Sequence, residues 1–66
     1  MIIKLNGKNQ SFNDDISVSE LLDDIKLSLS SIAIAINGNI IPKNEYKKTK
    51  LKDMDTVEIV RPVGGG

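Results

Sequence analysis

Two dipeptides, Asn6-Gly7 and Asn37-Gly38, constrain the fold of this chain more than any other feature. Asn-Gly is a strong hairpin signal because both central residues of a type I′ turn need positive φ. Each dipeptide lies between two short segments that read as strands. Residues 1–6 put Ile3 and Leu5 on one face of a strand and Lys4 and Asn6 on the other. Residues 9–12 then make a short second strand with Gln10 and Phe12 on one face. Residues 32–37 alternate Ile and Ala, with the Ile face directed at a helix. Ile40-Ile41 follows as a very short strand, stopped by Pro42, which has no N–H to give to a ladder.

Between the two strand pairs lies one helix signature. Ser17-Val18-Ser19-Glu20 reads as a capping box, in which the Ser17 hydroxyl accepts from the Glu20 backbone and Glu20 reaches back. Val18, Leu21, Leu22 and Ile25 recur at i, i+3, i+4 and i+7, one stripe of a helix, with Asp23, Asp24 and Lys26 off it. Helix propensity fades over residues 28–31, a serine-rich stretch. Residues 43–52 read as an irregular polar connection anchored by Tyr46 and Leu51. A turn at Lys52-Asp53-Met54-Asp55 leads to a last strand at 56–61, with Val57 and Ile59 inward and Glu58 outward. One helix across one face of a mixed four- to five-stranded sheet buries every apolar stripe at once. That is an α+β fold, the ubiquitin-like β-grasp, with the helix as a right-handed crossover between parallel strands. A ferredoxin-like sandwich needs a second helix, and the sequence has none to offer. The expected division is a β-grasp domain at 1–61 and a flexible C-terminal tail at 62–66.

A domain of 66 residues has a thin core and no room for a deep, walled cavity. Nine Lys and Arg balance nine Asp and Glu, and only two aromatic residues are present. A nucleic-acid binder of this size would be basic and would offer rings to stack on bases. The local run of Lys43, Lys47, Lys48, Lys50 and Lys52 therefore reads as a solvated loop, and no nucleic-acid partner is expected. The chain contains neither Cys nor His, which removes thiol chemistry, the usual zinc ligands and the usual triad base. Asp14-Asp15 and Asp23-Asp24 are sequence neighbours that do not face each other, so they make poor acid–base partners. No apolar run approaches the roughly 20 residues of a membrane span. The expectation is a protein of the aqueous phase, cytoplasm or plastid stroma, with no membrane partner, no metal and no bound cofactor.

The chemistry is expected in the last six residues, Arg61-Pro62-Val63-Gly64-Gly65-Gly66. Pro62 ends the strand and biases Arg61 toward an extended backbone. Five extended residues from Pro62 span about 16–18 Å, enough to enter another protein's active site. Glycines thread a slot too narrow for side chains, and they leave the terminal carboxylate open to attack. A carboxylate is a poor electrophile until ATP converts it to an acyl-adenylate. A sulfur nucleophile can then displace AMP and leave a thiocarboxylate. None of these steps asks the carrier for a catalytic side chain. The site residues are thus Gly66 as the group modified and Gly65, Gly64 and Val63 as the threading segment. Val60 and Ile2 point outward by parity and, with Arg61, are candidates for a partner surface.

The chain resembles the ThiS family of sulfur carriers of thiamine biosynthesis along essentially its whole length. The resemblance rests on Ser19-Glu20-Leu21-Leu22, on Asn37-Gly38 followed by Ile41-Pro42-Lys43, and on the close from Leu51 through Asp53-Met54-Asp55 to Gly64-Gly65-Gly66. It departs from the family pattern in three places. Tyr46 stands where Trp is common, Met54 where the turn often has Gly, and Pro62 where Ala is frequent. Tyr46 is expected to keep the packing role, and Met54 to change the turn type. The resemblance implies adenylation of Gly66 by a ThiF-like enzyme using ATP and magnesium. It implies sulfur from a cysteine desulfurase or related sulfurtransferase, and donation to a ThiG-like thiazole synthase. Three other readings compete. One is a MoaD-like carrier for molybdopterin synthesis, usually longer by a loop or helix. Another is a ubiquitin-like modifier that conjugates to lysines, and the third is a β-grasp interaction module with an inert tail. A self-contained enzyme is the least supported reading.

Overall fold

The computed structural model describes residues 1–25 and 32–60. Five strands form one mixed sheet: β1 (Ile2–Leu5), β2 (Lys8–Ser11), β3 (Ala33–Ile36), β4 (Asn39–Ile41) and β5 (Thr56–Val60), in the order β2-β1-β5-β3-β4. One helix, α1 (Val18–Asp24), follows the first hairpin. β1 and β5 are parallel neighbours at the centre, and the other pairings are antiparallel. This is the β-grasp arrangement expected from two hairpins and one crossover helix.

Both Asn-Gly dipeptides form the turns expected of them. Asn6 and Gly7 have φ of 48° and 84°, and Asn37 and Gly38 have 51° and 86°. Glycine fits the second position because it has no Cβ to clash there. The hydrophobic period decides what each strand buries. Ile3, Leu5, Ile32, Ile34, Ile36 and Val57 face inward, where Val18, Leu21 and Leu22 of α1 meet them in one core. Ile25, Ile41, Ile59 and Phe12 pack partly buried at its margin. Strand β2 is one residue earlier than the 9–12 expected, and all its side chains are exposed. The two-residue turn fixes this register by pairing Leu5 with Lys8.

The helix begins where the capping box puts it. The Glu20 N–H donates to Ser17 Oγ at 3.1 Å, and the Ser17 N–H donates to Glu20 Oε1 at 2.9 Å. The helix ends sooner than expected, at Asp24 with Ile25 as its C-cap, and the serine-rich stretch lies outside the described residues. Seven residues make too short a helix to stand alone in water, so packing and capping must hold it. The polar connection supplies part of that. Val18 N–H donates to the Thr49 carbonyl at 2.9 Å and Ser19 N–H to the Tyr46 carbonyl at 3.1 Å. With Glu20 on Ser17, the first three orphan donors of the helix are all satisfied. The connection is therefore less irregular than its composition suggests. It holds a 3₁₀ turn at Lys43–Glu45 and a bridge from Lys50 to Ser17. Tyr46 and Leu51 are buried, so Tyr46 keeps the packing role expected of it.

The cap makes a pH prediction. Hydrogen bonds from Ser17, backbone first and then hydroxyl, hold the Glu20 carboxyl below its ordinary value, with desolvation opposing and the Lys50 charge assisting least. A carboxyl depressed on folding stabilises the native state above its unfolded pKa of about 4.3 and loses that contribution as pH falls through the lower folded value. In urea titrations, Glu20→Gln should be slightly less stable than the parent at pH 7. The gap should close in acid, below the folded pKa. A gap of constant size down to pH 2 would mean that ionisation plays no part in the cap.

At the 52–55 turn Met54 adopts φ 72°, the left-handed conformation glycine would favour. Asp55 N–H donates to the Lys52 carbonyl at 3.1 Å, closing a β-turn with positive φ at its third residue alone, the type II pattern. The turn is held by one bond within it and by two from β1. Lys52 N–H donates to Asp55 Oδ2 at 2.8 Å, Ile2 N–H to Asp53 Oδ1 at 2.7 Å, and Met54 N–H to the Ile2 carbonyl at 2.7 Å. The tertiary bonds thus override the preference of Met. The Met54 side chain is 74% exposed and loses little packing if removed. Met54→Gly should therefore stabilise the domain by about 0.5–1 kcal/mol, a rise of roughly 2–8 °C in melting temperature. A fall in melting temperature would show that the side chain contributes more than its conformation costs.

Candidate functional site

The end of β5 and the outer face of the sheet form the candidate site. Alternation along β5 sends Val57 inward and Val60 outward, and Val60 is 63% exposed. Antiparallel register sets Val60 opposite Ala33, and Glu58 opposite Ala35. Ala35 is in turn opposite Ile40 of β4, which is 70% exposed. Neighbouring strands lie about 4.8 Å apart, so Val60 and Ile40 flank the two alanines at roughly 10–12 Å from each other. The result is an apolar strip across β5, β3 and β4, beginning where the described chain ends. Small side chains in its centre leave it flat and open to a second protein surface.

Of the residues singled out from sequence, Val60 lies on this strip. Ile2 also faces outward and is 40% exposed, but it lies elsewhere. β1 pairs Lys4 with Thr56, which puts Ile2 level with Met54, six residues from Val60 along the sheet. At about 3.3 Å per residue that is roughly 20 Å. Parity identified both residues as outward, and register separates them. Ile40 was missed. The signal was present in Ile40-Ile41, because two consecutive apolar residues in a strand must point to opposite faces. Arg61, Val63, Gly64, Gly65 and Gly66 lie outside the described residues.

The acidic pairs behave as their spacing implies. Asp14, Asp15, Asp23 and Asp24 are exposed. A shallow cavity of about 340 Å³ is lined by Asn13, Asp14, Asp15, Ile16, Glu20 and Asp24. Glu20 is already committed there to the helix cap. Among the described residues, no group of His, Cys, Asp and Glu is placed to hold a metal ion. No described helix is long and apolar enough to cross a membrane.

Comparison with known proteins matches this geometry to one family. The sequence model described as the ThiS family matches residues 3–66. The sulfur carrier protein ThiS of Bacillus subtilis is 35% identical over 66 residues, covering 98% of this chain and 100% of that one. A thiazole synthase of Paramagnetospirillum magneticum is 32% identical over 66 residues; this chain is matched in full but spans only 20% of that protein's length. The crystal structure of the thiamine biosynthesis protein ThiS from Geobacter metallireducens superposes with a TM-score of 0.87 at 29% identity, covering 100% of both chains. The five described strands in this order, with one described α-helix packed on the sheet, accord with that kinship. The chain belongs to the ThiS family of ubiquitin-like sulfur carriers of thiamine biosynthesis, and is itself a carrier and not an enzyme.

Proposed function

We propose that this chain carries sulfur as a thiocarboxylate on Gly66 and donates it for thiazole formation. The observation that carries the reading is the family match, which runs through the glycine run to residue 66. A ThiF-like enzyme condenses the Gly66 carboxylate with ATP, with magnesium as its cofactor, releasing pyrophosphate and leaving an acyl-adenylate. The terminal sulfur of a persulfide on a cysteine desulfurase or related sulfurtransferase attacks the acyl carbon, and AMP departs with the bonding electron pair. A thiol then cleaves the S–S bond of the resulting acyl disulfide, being oxidised to a disulfide as the thiocarboxylate is released. The thiocarboxylate then passes its sulfur to a ThiG-like thiazole synthase. The match to one fifth of a protein named thiazole synthase supports that acceptor, since there carrier-like sequence occurs in one polypeptide with additional sequence. The same kinship favours a thiazole over a pterin acceptor.

In this scheme the partner enzymes grip two things, the threading residues Val63, Gly64 and Gly65 and the outer face of the sheet near the end of β5. The apolar strip of Val60, Ala33, Ala35 and Ile40 suits the second role, and Arg61, next in sequence after Val60, is a further candidate for it. The chain and its partners work in the aqueous phase, cytoplasm or plastid stroma.

Reconstitution with a ThiF-like enzyme, a sulfur source and a ThiG-like synthase tests the proposal. Thiazole should form in proportion to the carrier supplied. Thiazole formed equally well without it, or sulfur delivered to a pterin acceptor instead, would refute this function.

A further inference from the structure

The two hairpin turns do more than reverse the chain. Asn6 and Asn37 occupy equivalent left-handed positions, and each extends its side-chain oxygen to β5. Asn37 Oδ1 accepts from the Thr56 N–H at 2.9 Å, where the strand begins. Asn6 Oδ1 accepts from the Ile59 N–H at 2.8 Å, one residue before the strand ends. The second bond answers a particular need. β1 pairs with β5 at Lys4↔Thr56 and Leu5↔Val57, and Asn6 N–H donates to the Val57 carbonyl at 2.9 Å. At Gly7 the chain turns away into β2, just where the parallel ladder would next meet Ile59. The Asn6 side chain supplies the acceptor that the departing backbone would have provided. Without it, the last residues of β5 would be paired on the β3 side alone, and strand ends paired on one side open readily.

We infer that Asn6 is a positioning residue for the carrier reaction. Its bond to Ile59 holds the last residues of β5 in the sheet, so that the strand end carrying Val60 is already ordered when an adenylating enzyme docks on it. This inference rests on the carrier reading above. A looser strand end has more conformers, and those must be given up when the C-terminal residues enter a partner's slot. The chemistry at a seated Gly66 is unaffected, so the loss falls on KM and not on kcat.

Two substitutions separate the oxygen from the turn. Asn6→Gly keeps the left-handed conformation and removes the oxygen. Asn6→Asp keeps both the oxygen and a tolerance of positive φ. The measurements are amide exchange at Ile59 and pyrophosphate release by a ThiF-like enzyme with ATP and saturating to limiting carrier. In Asn6→Gly, Ile59 exchange should rise by about three- to tenfold, the factor for one ordinary hydrogen bond, and KM should rise by a similar factor at unchanged kcat. Asn6→Asp should restore both. Unchanged Ile59 exchange in Asn6→Gly, or parental KM despite faster exchange, would overturn the positioning role alone. If the parent chain releases no pyrophosphate, the carrier reading fails and the inference with it.

Discussion

Removal of Gly65 and Gly66 together will bring sulfur transfer down to the level seen without carrier, while the domain melts as before. The expected loss is large because the reacting group is displaced as well as changed in surroundings. Two extended residues span about 7 Å, and a misplacement of only 1 Å at a reacting centre can cost on the order of a hundredfold in rate. A carboxylate left at Gly64 falls short of the position where ATP must meet it. The domain should be indifferent, because among the described residues the buried apolar ones all lie between Ile3 and Val57. Pyrophosphate release, thiazole formation and thermal melting on the truncated chain check the three parts. Transfer at the parental rate would leave an interaction module with an inert tail as the better account.

Leu22→Ala should cost about 3 kcal/mol of stability, the largest structural effect foreseen here. Leu22 is fully buried on the two-turn helix, in the cluster where α1 meets the sheet. Deleting a buried leucine side chain costs roughly 2–5 kcal/mol in lost transfer energy and unfilled space. The whole domain has only about 3–10 kcal/mol to lose, at 0.05–0.15 kcal/mol per residue. A helix so short holds its place by this contact and by its cap, so its loss exposes the inner face of the sheet. Denaturant titration should show a much lower midpoint or a chain already partly unfolded. A loss under about 1 kcal/mol would mean that the site collapses around the gap more fully than a packed core allows.

Much of the fold was legible because its signals are local. Asn-Gly turns declare themselves in two residues, and the capping box in four. Val18, Leu21 and Leu22 share a stripe that repeats within the helix itself. What escaped notice depends on partners distant in sequence. Nothing near Met54 announces that Ile2 and Asp53 will hold it at positive φ, since that bond spans 51 residues from Ile2 to Asp53. The 46–49 segment looks like a loop until its carbonyls are seen to receive the first donors of α1. The candidate site divides the same way. Outward parity of Val60 and Ile2 is a local property and was read correctly. Their separation, and the inclusion of Ile40 in the strip, follow from the register of β1, β3, β4 and β5, which sequence alternation leaves open. The Asn6 bond to Ile59 spans 53 residues and belongs to the same class.

The central claim is that Gly66 is the group on which sulfur is carried. The most direct test is the intact mass of the chain after incubation with ATP, magnesium, a ThiF-like adenylating enzyme and a sulfur source. The account predicts a gain equal to one oxygen replaced by one sulfur, located in the C-terminal peptide and absent from the chain lacking Gly65 and Gly66. An unchanged mass under conditions in which the same enzyme modifies the Bacillus subtilis carrier would contradict it.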